Sequence, residues 1–420
     1  ITISKRTNEK TLVFSHALKN FGSNKKMKES LFNYRFEYEN QKYIFNTNNN
    51  GLIQINNDIF TEEEREYLRV NRFWVDDNED EIALLEREIN HNIQKRQKEL
   101  ELTIALTNYC NFSCVYCYQN KNEKLMTTEV ANMIIEKIDR ILNDNIFEGI
   151  NIHYFGGEPL LNIPVLIYLD ENIKKITAKI GIVYKAFLTT NGSMLSKELL
   201  QKVKFSSIQL TFDGLEKTHD RLRVSDHFHF KEEIELIENI MNFSQAKVLL
   251  RTNICKENKD EIIALHKYIF EKFGNERIEI NPNRTIKYHQ DDSFEMLSVQ
   301  EYAEVAYQIK LLWSEQKGKF ELPVPRSTPC KFPYGNAYAI SPEGYCTFCS
   351  GSMDQEKKYF FDVDIENKKM FSVRKECKKC NILPLCLGGC IIQYNLRAGA
   401  CTYEKYELKN ILISYIKHIS

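Results

Sequence analysis

This 420-residue sequence lacks an appreciable net charge, a long hydrophobic run and an internal repeat. Its 57 Lys and Arg nearly offset 58 Asp and Glu, leaving a formal charge of −1. That gives no electrostatic case for a nucleic-acid or anionic-membrane partner. The longest apolar stretches, such as the one around Leu166, fall well short of a membrane span. Residues 1–26 are basic, but their apolar run Thr11–Phe14 is too short for a signal-peptide core. No packing unit recurs and no low-complexity segment interrupts the chain. These absences predict a cytoplasmic protein with no membrane and no nucleic acid among its partners. The length exceeds what one core normally serves, so two or three domains are expected. Twelve cysteines in a large chain of this kind suit ligands or redox groups better than a disulfide scaffold.

The pattern of the chain changes twice. Residues 33–57 hold two alternating segments separated by Asn48-Asn49-Asn50-Gly51, which predicts a β-hairpin. Amphipathic helical patterns follow before residue 100. From Leu102 onward, six strand-like segments from Leu102–Thr107 to Arg277–Pro282 each precede a helical stretch. Six βα units in series imply an α/β fold with a parallel sheet, curled or open, whose chemistry sits at the carboxyl ends of the strands. Beyond about residue 320 the alternation stops and cysteines become dense. The expected division is an extension of unclear origin at 1–26, a small domain at 27–100, a βα region at 101–320 and a cysteine-stapled region at 321–420.

The first cysteine group, Cys110, Cys114 and Cys117, follows the first βα strand as CxxxCxxC. Structural zinc usually takes four protein ligands, and its common catalytic sets include histidine or carboxylate, none of which lies close by in sequence. Three cysteines can hold a 4Fe-4S cluster at three corners and leave the fourth iron open. A zinc knuckle and three incidental buried thiols are the competing readings. Later strand ends carry Gly156-Gly157-Glu158, Thr189-Thr190-Asn191-Gly192 and Thr211-Phe212-Asp213-Gly214, small polar groups and glycines on one rim.

CxxxCxxC with Tyr116 directly before its last cysteine resembles the signature of the radical S-adenosylmethionine (radical SAM) enzymes. The resemblance implies a partial (β/α)6 barrel over roughly residues 102–285 and a cluster whose open iron chelates SAM. One-electron reduction then breaks a carbon–sulfur bond of SAM, giving a 5′-deoxyadenosyl radical that abstracts hydrogen from an unreactive carbon; the hard chemistry belongs to the cofactors. It further implies that Gly156, Gly157 and Glu158 engage the SAM amino group, and that Asn191, Thr211, Arg223 and Asn253 contact its carboxylate or ribose. Arg223 is equally readable as a surface ion-pair partner, and Asp213 as a substrate contact or a turn cap. Cys255 reads as a buried small hydrophobe.

The C-terminal cysteines run Cys330, then Gly344 and Cys349, then Cys377, Cys380, Cys386 and Cys390 as CxxCxxxxxCxxxC, then Cys401. This resembles the SPASM extension, which holds two auxiliary 4Fe-4S clusters, although a double zinc ribbon also uses CxxC pairs. Carried over, the resemblance assigns Cys330, Cys349 and Cys390 to one auxiliary cluster and Cys377, Cys380, Cys386 and Cys401 to the other. Cys346 is the candidate fourth ligand of the first. Three clusters are implied in all, one binding SAM and two auxiliary, served by an electron donor such as flavodoxin or ferredoxin.

SPASM proteins act chiefly on peptides and proteins. Residues 27–100 resemble the winged-helix-like leader-peptide recognition domain of enzymes that mature ribosomally made, post-translationally modified peptides (RiPPs). Such a domain binds a precursor peptide's leader by strand addition. The expected activity is hydrogen abstraction and intramolecular crosslinking, with a thioether ahead of a carbon–carbon bond. A sulfatase-type maturase forming formylglycine is the alternative, but those enzymes carry an aspartate where this chain has Ser350. A zinc-stapled peptide-binding scaffold is the non-enzyme reading.

Overall fold

The computed structural model describes residues 2–3, 26–55, 60–144, 147–274, 276–287, 293–347, 349–352, 358–363, 370–390 and 401–419. The chain forms two compact units, one of residues 1–92, 314–329 and 371–420, the other of residues 93–313 and 330–370. Among the described residues no helix is long and apolar enough to cross a membrane.

The first unit opens with β1 (Thr2–Ile3), β2 (Met27–Glu29), β3 (Asn33–Tyr38), β4 (Gln41–Asn46) and β5 (Gly51–Ile55). The segment expected as a single strand before the Asn48–Gly51 turn is itself a hairpin. Glu39 and Asn40 take φ of 49° and 61°, the left-handed pair that a two-residue hairpin loop demands, and β3 pairs antiparallel with β4 across them. With β5 returning on β4, the expected hairpin is a three-stranded meander. β1 adds antiparallel to β5; residues 1 and 4–25 of the expected extension lie outside the described residues. α1 (Glu62–Val70) starts at a capping box in which Thr61 Oγ1 accepts from Glu64 N at 3.2 Å and Thr61 N donates to Glu64 at 2.9 Å. β6 (Trp74–Asp76) pairs with β2, and α2 (Glu81–Arg96) follows.

The meander buries Phe36, Phe45 and Leu52 against Ile382, Leu385, Leu408 and Leu412. Leu408 and Leu412 lie on the C-terminal helix Glu404–Ile419. Burying each such side chain contributes about 1.5–3 kcal/mol, so both ends of the chain depend on one core. The cysteine-rich region expected as its own domain at 321–420 is therefore divided, with residues 371–420 belonging to the unit of the N-terminal sheet.

The second unit follows the expected alternation. Its elements are β7 (Glu99–Ala105), α3 (Thr128–Asp144), β8 (Gly149–Phe155), α4 (Ile163–Ile180), β9 (Val183–Thr189), α5 (Lys197–Lys202) and β10 (Phe205–Thr211). They continue with α6 (Glu216–Leu222), α7 (Phe230–Phe243), β11 (Lys247–Ile254), α8 (Ile262–Phe273), β12 (Ile278–Arg284) and α9 (Val299–Lys317). β7 to β12 lie side by side in chain order and pair in parallel. β13 (Ala337–Ile340) extends the sheet in parallel beyond β7, and β14 (Tyr345–Thr347) and β15 (Lys358–Tyr359) add antiparallel. That backbone ladder explains why residues 330–370 belong with this unit.

On β8, Ile150, Ile152 and Tyr154 are fully buried, as period-two alternation requires for a face covered by helices. On α3, Ala131, Ile134, Ile138 and Ile141 form the matching buried stripe. The opposite face of the sheet carries polar side chains among apolar ones. Glu101, His153, Thr189, Gln209 and Leu249, drawn from five successive strands, line a single cavity of about 330 Å³, so the sheet curls around it.

Candidate active site and cluster sites

The loop after β7 carries the first cysteines, and the end of β8 is built to hold that loop. Gly157 N donates to Thr107 O at 2.8 Å and Glu158 N to Tyr109 O at 2.9 Å. This approach requires glycine. A Cβ on Gly156, whose φ is 134°, would stand 2.3 Å from Thr107 O, and one on Gly157 would stand 2.1 Å from Tyr109 O. Glycine here first serves the packing of strand end on loop.

Glu158, expected at the SAM amino group, has its side chain committed elsewhere. Fully buried, its carboxylate accepts from Thr190 Oγ1 at 2.6 Å, Asn191 N at 2.6 Å and Leu160 N at 3.0 Å. Burial raises its pKa against the pull of these donors. The carboxylate thus fixes the end of β9 relative to β8 and leaves only backbone of the Gly156–Glu158 turn for a ligand. Asn191, held there, donates through Nδ2 to Asn111 Oδ1 at 2.8 Å and approaches Cys110 Sγ at 3.9 Å.

Asp213 does the same job at a later strand end, that of β10. It is fully buried and accepts from Asn253 N at 2.6 Å and from the Tyr116 hydroxyl, while Asn258 Nδ2 donates to its carbonyl at 2.9 Å. Neither the expected substrate contact nor an ordinary turn cap describes it. Desolvation raises the Asp213 carboxyl, offset by Arg223 and its hydrogen bonds. Sequence reasoning missed this tie between Tyr116 and the strand ends because the partners are 97 residues apart. It makes Tyr116→Phe informative. A phenylalanine satisfies the motif but removes one donor from a buried carboxylate, so stability is expected to fall by about 1.5–3 kcal/mol, measured by thermal unfolding of the iron-loaded protein. An unchanged midpoint would show that the hydroxyl is dispensable.

Arg223 is no surface residue. Only 6% exposed, it lies over the Phe112 ring with 5.3 Å to the centroid, and its Nε is buried without a hydrogen-bond partner. A buried guanidinium with an unspent donor fits a carboxylate ligand. Thr211 is buried at the end of β10, and Asn253 Oδ1 accepts from Arg251 Nε at 2.9 Å. Cys255 is fully buried against Leu222 and Phe294, as expected, and burial pushes its thiol up to about 12.

The three loop thiols feel one another. Burial raises Cys110 and pushes Cys114 up to about 11, and each is raised further by its cysteine neighbours. Cys110 and Cys114, so placed, stay protonated until a metal displaces the protons. Phe112 N donates to Cys110 Sγ at 3.4 Å, and the same i+2 contact recurs from Gly351 N to Cys349 Sγ at 3.3 Å and from Gly388 N to Cys386 Sγ at 3.4 Å. One cysteine of each expected cluster therefore receives a backbone N–H, the kind of donor that tunes a cluster thiolate.

Cys377, Cys380, Cys386 and Cys401 line one cavity of about 590 Å³ together with Arg374, Lys379 and Lys405. Leu387, Gly388 and Gly389 all take positive φ, a reversal that lets Arg374 and Thr402 close against the two glycines. Cys346 is buried on β14, where it pairs with Ile340 of β13. Cys330 is exposed at the start of the short helix Lys331–Tyr334, and Cys390 is exposed.

The radical SAM superfamily model matches residues 104–269, the segment that carries the cysteine loop and the strand ends just described. Residues 104–269 belong to the radical SAM superfamily. Among curated relatives, the radical SAM cyclopropyl synthase TigE of Paramaledivibacter caminithermalis is 23% identical over 372 residues, covering 78% of this chain and 76% of that protein. The first curated relatives are matched over only about two-fifths to a half of their own length. Among solved structures, anSMEcpe with bound AdoMet and Cp18Cys peptide superposes with a TM-score of 0.61 at 18% identity, covering 76% of this chain and 98% of that one. SuiB of Streptococcus suis bound to precursor peptide SuiA gives 0.52 at 15%, covering 88% and 97%. These likenesses extend the radical SAM fold beyond the matched family segment.

Proposed function

We propose that this radical SAM protein is a peptide maturase with a partial (β/α)6 barrel. It abstracts hydrogen from a ribosomally made precursor peptide and closes an intramolecular crosslink, a thioether before a carbon–carbon bond. The observation that carries the reading is the second cysteine wall. Cys377, Cys380, Cys386 and Cys401 surround one cavity, so the chain has a place for redox chemistry besides the Cys110 loop. A crosslink removes two hydrogens from the peptide, and its second electron needs an acceptor; epimerisation needs none.

Bound SAM and a reduced 4Fe-4S cluster supply a 5′-deoxyadenosyl radical and, with the auxiliary clusters, an electron acceptor. The chain does the positioning. Cys110, Cys114 and Cys117 would hold the first cluster and Arg223 the carboxylate of SAM, while Glu158 and Asp213 lock the strand ends around them. The β3–β4–β5 meander supports a winged-helix-like site for the leader, and the SuiB complex and the anSMEcpe complex both contain a peptide. Ser350 in place of an aspartate speaks against formylglycine formation.

The test is anaerobic reconstitution to about twelve irons per chain, reduction by flavodoxin or ferredoxin, and incubation with the peptide encoded beside the gene. A mass loss of two hydrogens per crosslink is the expected result. An unchanged mass with inverted stereochemistry would overturn the reading.

A further inference from the structure

The cavity enclosed by the sheet lies below the rim that the proposed function uses. Its walls carry charged and polar side chains beside Phe187 and Leu249, where a curled parallel sheet is ordinarily filled by branched apolar side chains. Thr189 stands at the upper end of β9, directly before Thr190 and Asn191 of the rim. Its hydroxyl shares a 2.8 Å hydrogen bond with His153 Nε2. At the other end lie Glu99 and Glu101 near the start of β7. Glu101 is paired with Lys331 at 2.5 Å and with Arg96 at 3.3 Å, and Asn151 Nδ2 donates to Glu99 at 2.9 Å. Arg96 and Lys331 have side chains 43% and 34% exposed, so this end meets solvent. A cavity of about 330 Å³ with such polar groups in its walls has room for water.

We propose that this column is a proton exit, running from Thr189 through His153 to water at the Glu99 and Glu101 end of the cavity. The inference rests on the crosslinking reading. When a thioether closes, the carbon left by hydrogen abstraction bonds to a cysteine sulfur and the S–H bond breaks. The surplus electron goes to an iron–sulfur oxidant, and the proton must leave an enclosed site. Thr189 Oγ1 passes it to His153 Nε2, and the ring releases one from its other nitrogen to cavity water. Burial, aided by the charge of Lys331, lowers the His153 pKa to about 4. A neutral imidazole of that kind hands a proton on without trapping it.

His153→Gln keeps a hydrogen-bonding group toward Thr189 but cannot relay. Crosslink formed per 5′-deoxyadenosine released is expected to fall by about 10²-fold. The normal solvent deuterium isotope effect on crosslinking is expected to grow in the variant as proton departure becomes limiting, a change that a merely structural role would not produce. Circular dichroism and iron content report folding; should His153→Gln fail to fold, Thr189→Val leaves the imidazole in place and carries the same test. Wild-type ratios and isotope effects in both variants would overturn the exit while the crosslinking reading stands. A wild-type product of unchanged mass would overturn the reading itself.

Discussion

Replacing Cys110, Cys114 and Cys117 together by alanine is expected to abolish SAM cleavage outright and to lower bound iron from about twelve to about eight per chain. The loop's fold does not depend on the thiols. It is pinned by Ser113 N on Val224 O at 2.8 Å, Val115 N on Leu222 O at 3.0 Å and the Tyr116 hydroxyl on Asp213. Cluster and scaffold should therefore separate, and the remaining eight irons should report intact auxiliary sites by electron paramagnetic resonance. Cleavage of SAM at the wild-type rate would mean that SAM binds elsewhere. Collapse of all iron would mean that the sites fold as one.

Gly157→Ala is expected to lower the SAM cleavage rate by about 10²-fold, because a new methyl group 2.1 Å from Tyr109 O must push the cysteine loop away from β8. Overpacking of this sort costs about 1–3 kcal/mol, and a displacement of about 1 Å at a reacting centre costs about that factor in rate. Gly274→Ala is the control. Its φ is 68°, but nothing lies within 4 Å of the added carbon, so the cost is conformational, about 1–3 kcal/mol, with no effect on cleavage. Release of 5′-deoxyadenosine, followed by chromatography, distinguishes the two. Equal rates would show that the strand end and the loop are not rigidly coupled.

What could be foreseen from the sequence follows the range of the interactions. Six βα units were legible because strand and helix periodicity are local, and the cysteine sets because their spacing is short. The Glu39-Asn40 turn was missed since neither residue is glycine, although both adopt left-handed backbone. The duties of Glu158 and Asp213 were beyond reach for another reason. A buried carboxylate is explained by its donors, and apart from the neighbouring Leu160 N these lie 32 and 33 residues away for Glu158 and 40 and 97 for Asp213. His153 gave a partial signal in the polar alternation Asn151, His153 of an otherwise apolar strand, but its use depends on five strands curling around it.

The core shared by Phe36, Phe45 and Leu52 with Leu408 and Leu412 bears on how this enzyme can be engineered or can exchange segments with relatives. Residues 27–95, which look like a detachable module, would on excision strip cover from the helix Glu404–Ile419, which begins three residues after Cys401. A cluster proposed for the Cys377 wall would be lost along with any function of the meander, and the two defects would be confounded. A graft of the meander onto another protein would have to bring residues 371–420 with it. The segments that carry Phe36 to Leu52 and Leu408 to Leu412 are thus expected to be inherited as a block, and covariation between them is the trace that such a constraint would leave.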